Sequence, residues 1–167
     1  MYRTSLVFAV LLAASAPAHA GFDSWTFETE EDPFSGGERV VVTYSDSLRS
    51  GALIMCDSAQ SGVMLRVIPG YASDPSYAGF EPEMEIAFDG KRVLGQTGET
   101  GAVGDNLAVA QVMLTPENAK LFVEGFKNAS KQVAIKDGMS DRPQLLRARG
   151  STKAGEALQS CLDKQKP

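Results

Sequence analysis

A mainly β fold is what this sequence predicts: a β-sandwich or strongly bent antiparallel sheet, with one inserted helix and a docked C-terminal helix. Three observations predict it. Short β-branched and aromatic runs recur along the chain, separated by glycine, proline and aspartate turn signals. Only two segments repeat apolar residues at helical spacing. Two cysteines are present, Cys56 in an apolar strand-like run and Cys161 on the apolar stripe of the last helical segment.

Each element has its own signal. Within 21–39, Trp25 and Phe27 alternate with polar neighbours, as in a short strand. An acidic patch (Glu28, Glu30, Glu31, Asp32) and the breaker run Pro33, Phe34, Ser35, Gly36, Gly37 follow. The runs 40–44 and 52–56 read as strands joined hairpin-fashion by polar 45–51. Residues 62–68 form a third strand, ended by Pro69 and Gly70, and a loop runs on through Pro75 and Pro82.

Residues 83–88 alternate acidic with apolar: Glu83 and Glu85 outward, Met84, Ile86 and Phe88 inward. Asp89-Gly90 suits a two-residue hairpin turn, because glycine accepts positive φ without a Cβ clash, and 91–94 returns the strand. The glycine-rich run 95–105 reads as a longer loop, and 107–114 as a further strand. Thr115 then caps a helix with Pro116 at its first position, and Ala119, Phe122, Val123 and Phe126 form one apolar face. Residues 131–136 and 144–148 read as late strands. Ser151 is the expected cap of a helix whose buried stripe is Ala154, Ala157, Leu158, Cys161 and Leu162.

The first twenty residues read as a secretory signal. Arg3 supplies the positive start, 6–14 is an uncharged apolar run, and Ala18-His19-Ala20 is a small-residue cleavage signature before Gly21. No later apolar stretch reaches the roughly 18 residues that span a bilayer. The expectation is therefore a signal over 1–20 and one exported domain over 21–167, periplasmic or secreted, and not an integral membrane protein. Cleavage removes His19, the only histidine. The mature chain then has no imidazole for a triad, a proton shuttle or a metal site.

At 147 residues the mature chain is large enough for one domain with a real core. An oxidising compartment allows one intramolecular pairing, Cys56 with Cys161, the alternative being two free thiols. The bridge would close a loop on the order of 100 residues, worth about 4 kcal/mol in the chain-entropy model. Without Arg3, 15 basic residues face 21 acidic ones, a net of −6, which argues against nucleic acid. Residues 21–106 hold 5 basic and 15 acidic groups, residues 107–167 hold 10 and 6. The two halves are expected to interleave in space and mix these charges.

Few residues invite chemistry. Glu83 and Glu85 share a strand face, whereas glycosidase carboxylates face each other across a cleft. A solvated face is the expected reading, with an envelope hydrolase using Glu83, Glu85 or Asp89 as the alternative. The acidic patch offers oxygen ligands but lacks the alternating pattern of a calcium loop. The run Gly95 to Gly101 lacks the lysine of a phosphate-binding loop and contains Glu99. No serine sits in a nucleophile motif, and Cys56 has no histidine to activate it. No cofactor, catalytic residue or metal ligand is expected. Trp25, Tyr71 and Tyr77 are the candidate binding residues, since rings displayed in loops stack on sugars or contact protein partners.

Several features together resemble small periplasmic accessory proteins associated with type VI secretion. The matching positions are Trp25, Asp32-Pro33 before the 40–44 strand, Leu53-Ile54-Met55-Cys56 and the 62–68 strand toward Tyr71. Later ones are Phe88-Asp89, Gly150, Ala157-Leu158 and Cys161. Met55 stands where the members carry a basic residue before the first cysteine, and Ala87 where they carry an arginine. The resemblance implies the fold and the disulfide more directly than a secretion role. The small all-β character is also similar to the invasion-associated locus B proteins. The expected function is a non-enzymatic periplasmic interaction domain of a Gram-negative bacterium, acting on an envelope protein partner. A glycan- or peptidoglycan-binding module is the alternative.

N-terminal sequencing of material from the native host should begin at Gly21. An intact Met1 on a membrane-held product would contradict the export reading.

Overall fold

A computed structural model describes residues 22–34 and 36–165. The signal expected over 1–20, with His19, lies outside the described residues. In chain order the elements are β1 (Trp25–Glu31), β2 (Glu38–Ser45), β3 (Gly51–Asp57), β4 (Val63–Ile68), β5 (Glu83–Phe88), β6 (Lys91–Thr97), β7 (Glu99–Val103), β8 (Leu107–Leu114), α1 (Pro116–Asn128), β9 (Gln132–Lys136), β10 (Gln144–Arg147) and α2 (Ser151–Lys164). A single 3-10 turn, Pro75–Tyr77, interrupts the long β4–β5 connection. The fold is mainly β, as the sequence predicts.

Two antiparallel sheets carry it. The larger runs β1-β2-β3-β4-β8-β7 and the smaller β10-β9-β5-β6. Register follows from strands whose alternate residues are apolar, since a one-residue slip would turn every one of them outward. Val42, Ile54, Leu65 and Val112 lie in one cross-strand row on the inner face of the larger sheet, all buried. Ile86, Leu94 and Ile135 do the same in the smaller sheet. The helices pack on each other, α2 against β1, β2 and β3, and α1 against β5, β6 and β8. One core results, in which Phe122 and Phe126 stack at 5.6 Å between ring centroids.

The sheets meet at two corners. At one, the chain passes from β6 into β7 through Gly98, where a Cβ would stand 2.4 Å from the Gln111 carbonyl oxygen. At the other, the Trp25 amide donates to the Arg149 carbonyl (2.8 Å) and the indole Nε1 to the Arg147 carbonyl (2.9 Å), tying β1 to the end of β10.

Three readings need correction. The glycine-rich 95–105 run is not a loop: its first residues complete β6, and 99–103 form β7. Gly98 provides the close approach at the corner, while pairing with β8 supplies the order that composition conceals. The acidic patch is not a separate segment, because β1 runs on through Glu31. Ser151 is not the cap of α2. Gly150 holds that position at φ 89°, and the buried Ser151 hydroxyl donates to the Ala129 carbonyl (3.3 Å).

Other local signals hold. Asp89 and Gly90 take φ of 51° and 84°, positive at both turn positions. Thr115 accepts from the Asn118 amide at 3.3 Å, capping α1. Cys56 on β3 and Cys161 on α2 form a disulfide with Cα atoms 6.2 Å apart, covalently fixing the last helix to the larger sheet. No helix among the described residues is long and apolar enough to cross a membrane.

The bridge constrains the unfolded chain across a separation of 105 residues. The Cys56→Ala/Cys161→Ala double variant should lose about 2–5 kcal/mol in urea titration. A variant matching the parent would show that α2 holds its place by packing alone.

Candidate functional site

The chemically suggestive carboxylates are engaged in structure. Glu83 and Glu85 do share the outer face of β5, and one guanidinium serves both: Arg92 lies 3.3 Å from Glu83 and 2.9 Å from Glu85. Asp89 accepts from the amides of Ser130 (2.9 Å), Lys131 (2.7 Å) and Gln132 (2.9 Å), and from the Ser130 hydroxyl (2.9 Å). Those backbone donors, that of Ser130 foremost, hold the Asp89 carboxyl well below the usual carboxylate range. It is a fastener for the α1–β9 connection. Asp32 turns inward to Arg39 (2.7 Å), which also reaches Asp57 (3.4 Å), while Glu28, Glu30 and Glu31 stay exposed along β1.

The three candidate aromatics separate. Trp25 is a core residue, 4% exposed, packed at 4.9 Å from Tyr44 and edge-on at 4.8 Å to Phe126. Its ring is thus not displayed to a ligand. Alternation showed a strand but not which face would be covered. Tyr71 and Tyr77 do come together, 6.4 Å apart and tilted by 52°, both half-buried in the β4–β5 connection. The Tyr71 hydroxyl is enclosed without a hydrogen-bond partner. Burial, then the charge of Asp137, pushes that phenol up to about 12. The connection is pinned across β7 and β8: Thr100 donates to the Tyr77 and Phe80 carbonyls, and Ala108 to the Tyr71 carbonyl at 2.9 Å. Phe80, whose amide donates to the Tyr77 carbonyl at 3.0 Å, is 43% exposed.

A groove of about 710 Å³ lies between the helices, lined by Lys120, Glu124, Lys127, Gln159, Asp163 and Gln165 among others. Its charges are mixed, and Gln159 already donates to Asp163 at 2.9 Å. The Gln165 amide is occupied by the Asp57 and Gly62 carbonyls at 3.0 and 2.8 Å.

The outer face of the larger sheet offers something different. Val41, Met55, Met64 and Met113 form an unbroken cross-strand row over β2, β3, β4 and β8. Met113 is 51% exposed and the other three are half-buried. The neighbouring row is polar on either side of Leu53: Thr26 and Thr43 hydroxyls share a bond of 3.1 Å, and beyond Leu53 Arg66 donates to Gln111 (2.8 Å) and Gln111 to Glu99 (2.5 Å). Sequence reasoning missed this surface. Its signal was that 52–56 is apolar at every position rather than alternate ones, and so apolar on both faces. No family model, curated protein or solved structure matches the chain.

The depressed Asp89 group sets a sign. Its contribution to stability is complete above the ordinary carboxylate range near pH 4 and is lost as pH falls through the lower folded value. Asp89→Asn should therefore be less stable than the parent at pH 7, with the difference narrowing in acid below about pH 4. Melting temperatures of both proteins across pH 2–7 check this, and a constant difference would contradict it.

Proposed function

We propose that the chain is a non-enzymatic interaction domain, exported to the periplasm, which binds a protein partner of the envelope. The observation that carries this reading is the row Val41, Met55, Met64 and Met113, an apolar stripe on the outer face of the larger sheet beside a row holding Thr43, Arg66 and Gln111. Methionine is unbranched and polarisable, so such a surface adapts to a partner with little backbone change. The resemblance to type VI accessory proteins suggests a secretion apparatus as the setting. Against a hydrolase stand the sharing of Arg92 by Glu83 and Glu85 and the fastening role of Asp89. A glycan-binding reading has the Tyr71–Tyr77 pair and the exposed Phe80 ring in its favour.

Crosslinking in intact cells, followed by affinity capture, tests the proposal. Met64→Gln/Met113→Gln should keep the parent's melting temperature and weaken partner recovery at least tenfold, since buried anchors typically cost about 2 kcal/mol or more when lost. Retention of peptidoglycan, abolished by Tyr77→Ala and untouched by the methionine changes, would favour the glycan reading instead.

A further inference from the structure

We infer that the free edge of β1 accepts an extended, basic segment of a protein partner as an added strand. The inference rests on the protein-partner reading and names the chemistry of what is bound. β1 is an end strand of the six-stranded sheet and pairs with β2 over all seven of its residues. The Trp25 amide donates to Arg149, on the side away from β2. In an antiparallel ladder alternate residues aim their backbone groups the same way, so Phe27, Thr29 and Glu31 also point theirs outward. Among the described residues no backbone bond joins these three to a loop or strand on that side.

Long open edges are usually blunted by short length, proline, a bulge or a covering segment. The other three edges follow that pattern: β10 has four residues, the β5–β6 pairing has a register shift at Ile86/Ala87, and the Tyr71–Phe80 connection crosses β7. β1 has no proline and no register shift. Its remaining protection is charge. Glu28, Glu30 and Glu31 are exposed, and no ion pair among the described residues engages them. Arg39, opposite Glu30 on β2, is committed to Asp32 and Asp57. These carboxylates repel another copy of an acidic chain and complement a strand bearing lysine or arginine.

The exposed phenylalanines add a second contact. Phe27 is 41% exposed on the opposite face of β1 from Glu28 and Glu30, with Phe22 at 58% before the strand and Phe34 at 99% in the turn after it. A matching segment would place basic side chains opposite Glu28 and Glu30 and apolar ones opposite Phe27, alternating with period two. On the outer face the basic side chain opposite Glu28 would cap the row Met113, Met64, Met55 and Val41, which reaches β1 at Glu28.

The probe is a labelled nine-residue peptide of alternating lysine and valine, compared with a version carrying proline at its centre. Binding to the mature chain should slow hydrogen exchange at the Phe27 and Thr29 amides at least tenfold. It should weaken at least tenfold with the proline peptide and with Glu28→Lys/Glu30→Lys. Thr29→Pro removes only an outward N–H, so it should keep the parent's melting temperature and bind at least tenfold more weakly. Absent binding, binding without protection of those amides, or undiminished binding by Thr29→Pro would each overturn the inference. Partner capture separates the two readings: recovery equal with Thr29→Pro and parent leaves the partner proposal standing and sinks the edge. A protected peptide complex with no partner recovered does the reverse.

Discussion

The architecture turns on what a buried indole needs. Trp25 begins an edge strand, yet its ring sits in the core, and an unpaired N–H there would cost about 1–3 kcal/mol. The Arg147 carbonyl supplies the partner, the Trp25 amide takes the Arg149 carbonyl, and β1 is thereby joined to the far end of the smaller sheet. Tyr44 reinforces the joint by accepting from the Arg147 amide at 3.1 Å. With Gly98 joining the opposite corner, the two sheets cannot slide past one another, and the helices gain one defined space to fill.

That arrangement separates two kinds of polar residue. Asp32, Asp57 and Asp89 are consumed in holding turns, each with several donors or an arginine around it. Glu28, Glu30 and Glu31 hold nothing in place. Among the exposed apolar side chains, Phe22, Phe27 and Phe34 lie along or beside β1 and Met113 ends the methionine row, while Leu48, Phe80, Leu121 and Leu145 are scattered singly. Recognition over sheet surface fits such a distribution better than turnover of a small enclosed substrate.

Much of the scaffold was legible because single residues dictate it. Asp89-Gly90 names its turn through backbone sterics, Thr115-Pro116 its helix start, and two cysteines allow one pairing. β7 was hidden because Gly98, Gly101 and Gly104 look like loop composition, whereas Gly98, just before the strand, is a glycine because the Gln111 carbonyl leaves no room for a side chain. Ser151 resembled a cap, but Gly150 adopts the left-handed conformation and releases the hydroxyl for α1's end. Trp25 shows the general limit. Period-two alternation places residues on faces, and only the assembled layers decide which face meets solvent. The methionine row stayed unseen for that reason, since apolar residues on both sides of a strand read simply as a deeper core.

The Cys56–Cys161 bond also makes the covering of the larger sheet depend on a residue near the end of α2. Cys56 is fully covered, and the covering comes from α2, the last element described. A chain cut short before residue 161 would leave that thiol without its one possible mate and the inner face of β1, β2 and β3 bare. Such a product is open to mixed-disulfide attack and to proteases, while with α2 in place no free thiol remains and the inner face of those strands is covered. Because no third cysteine competes, the oxidant faces a single choice, and the bond closes correctly without reshuffling once both ends have folded together.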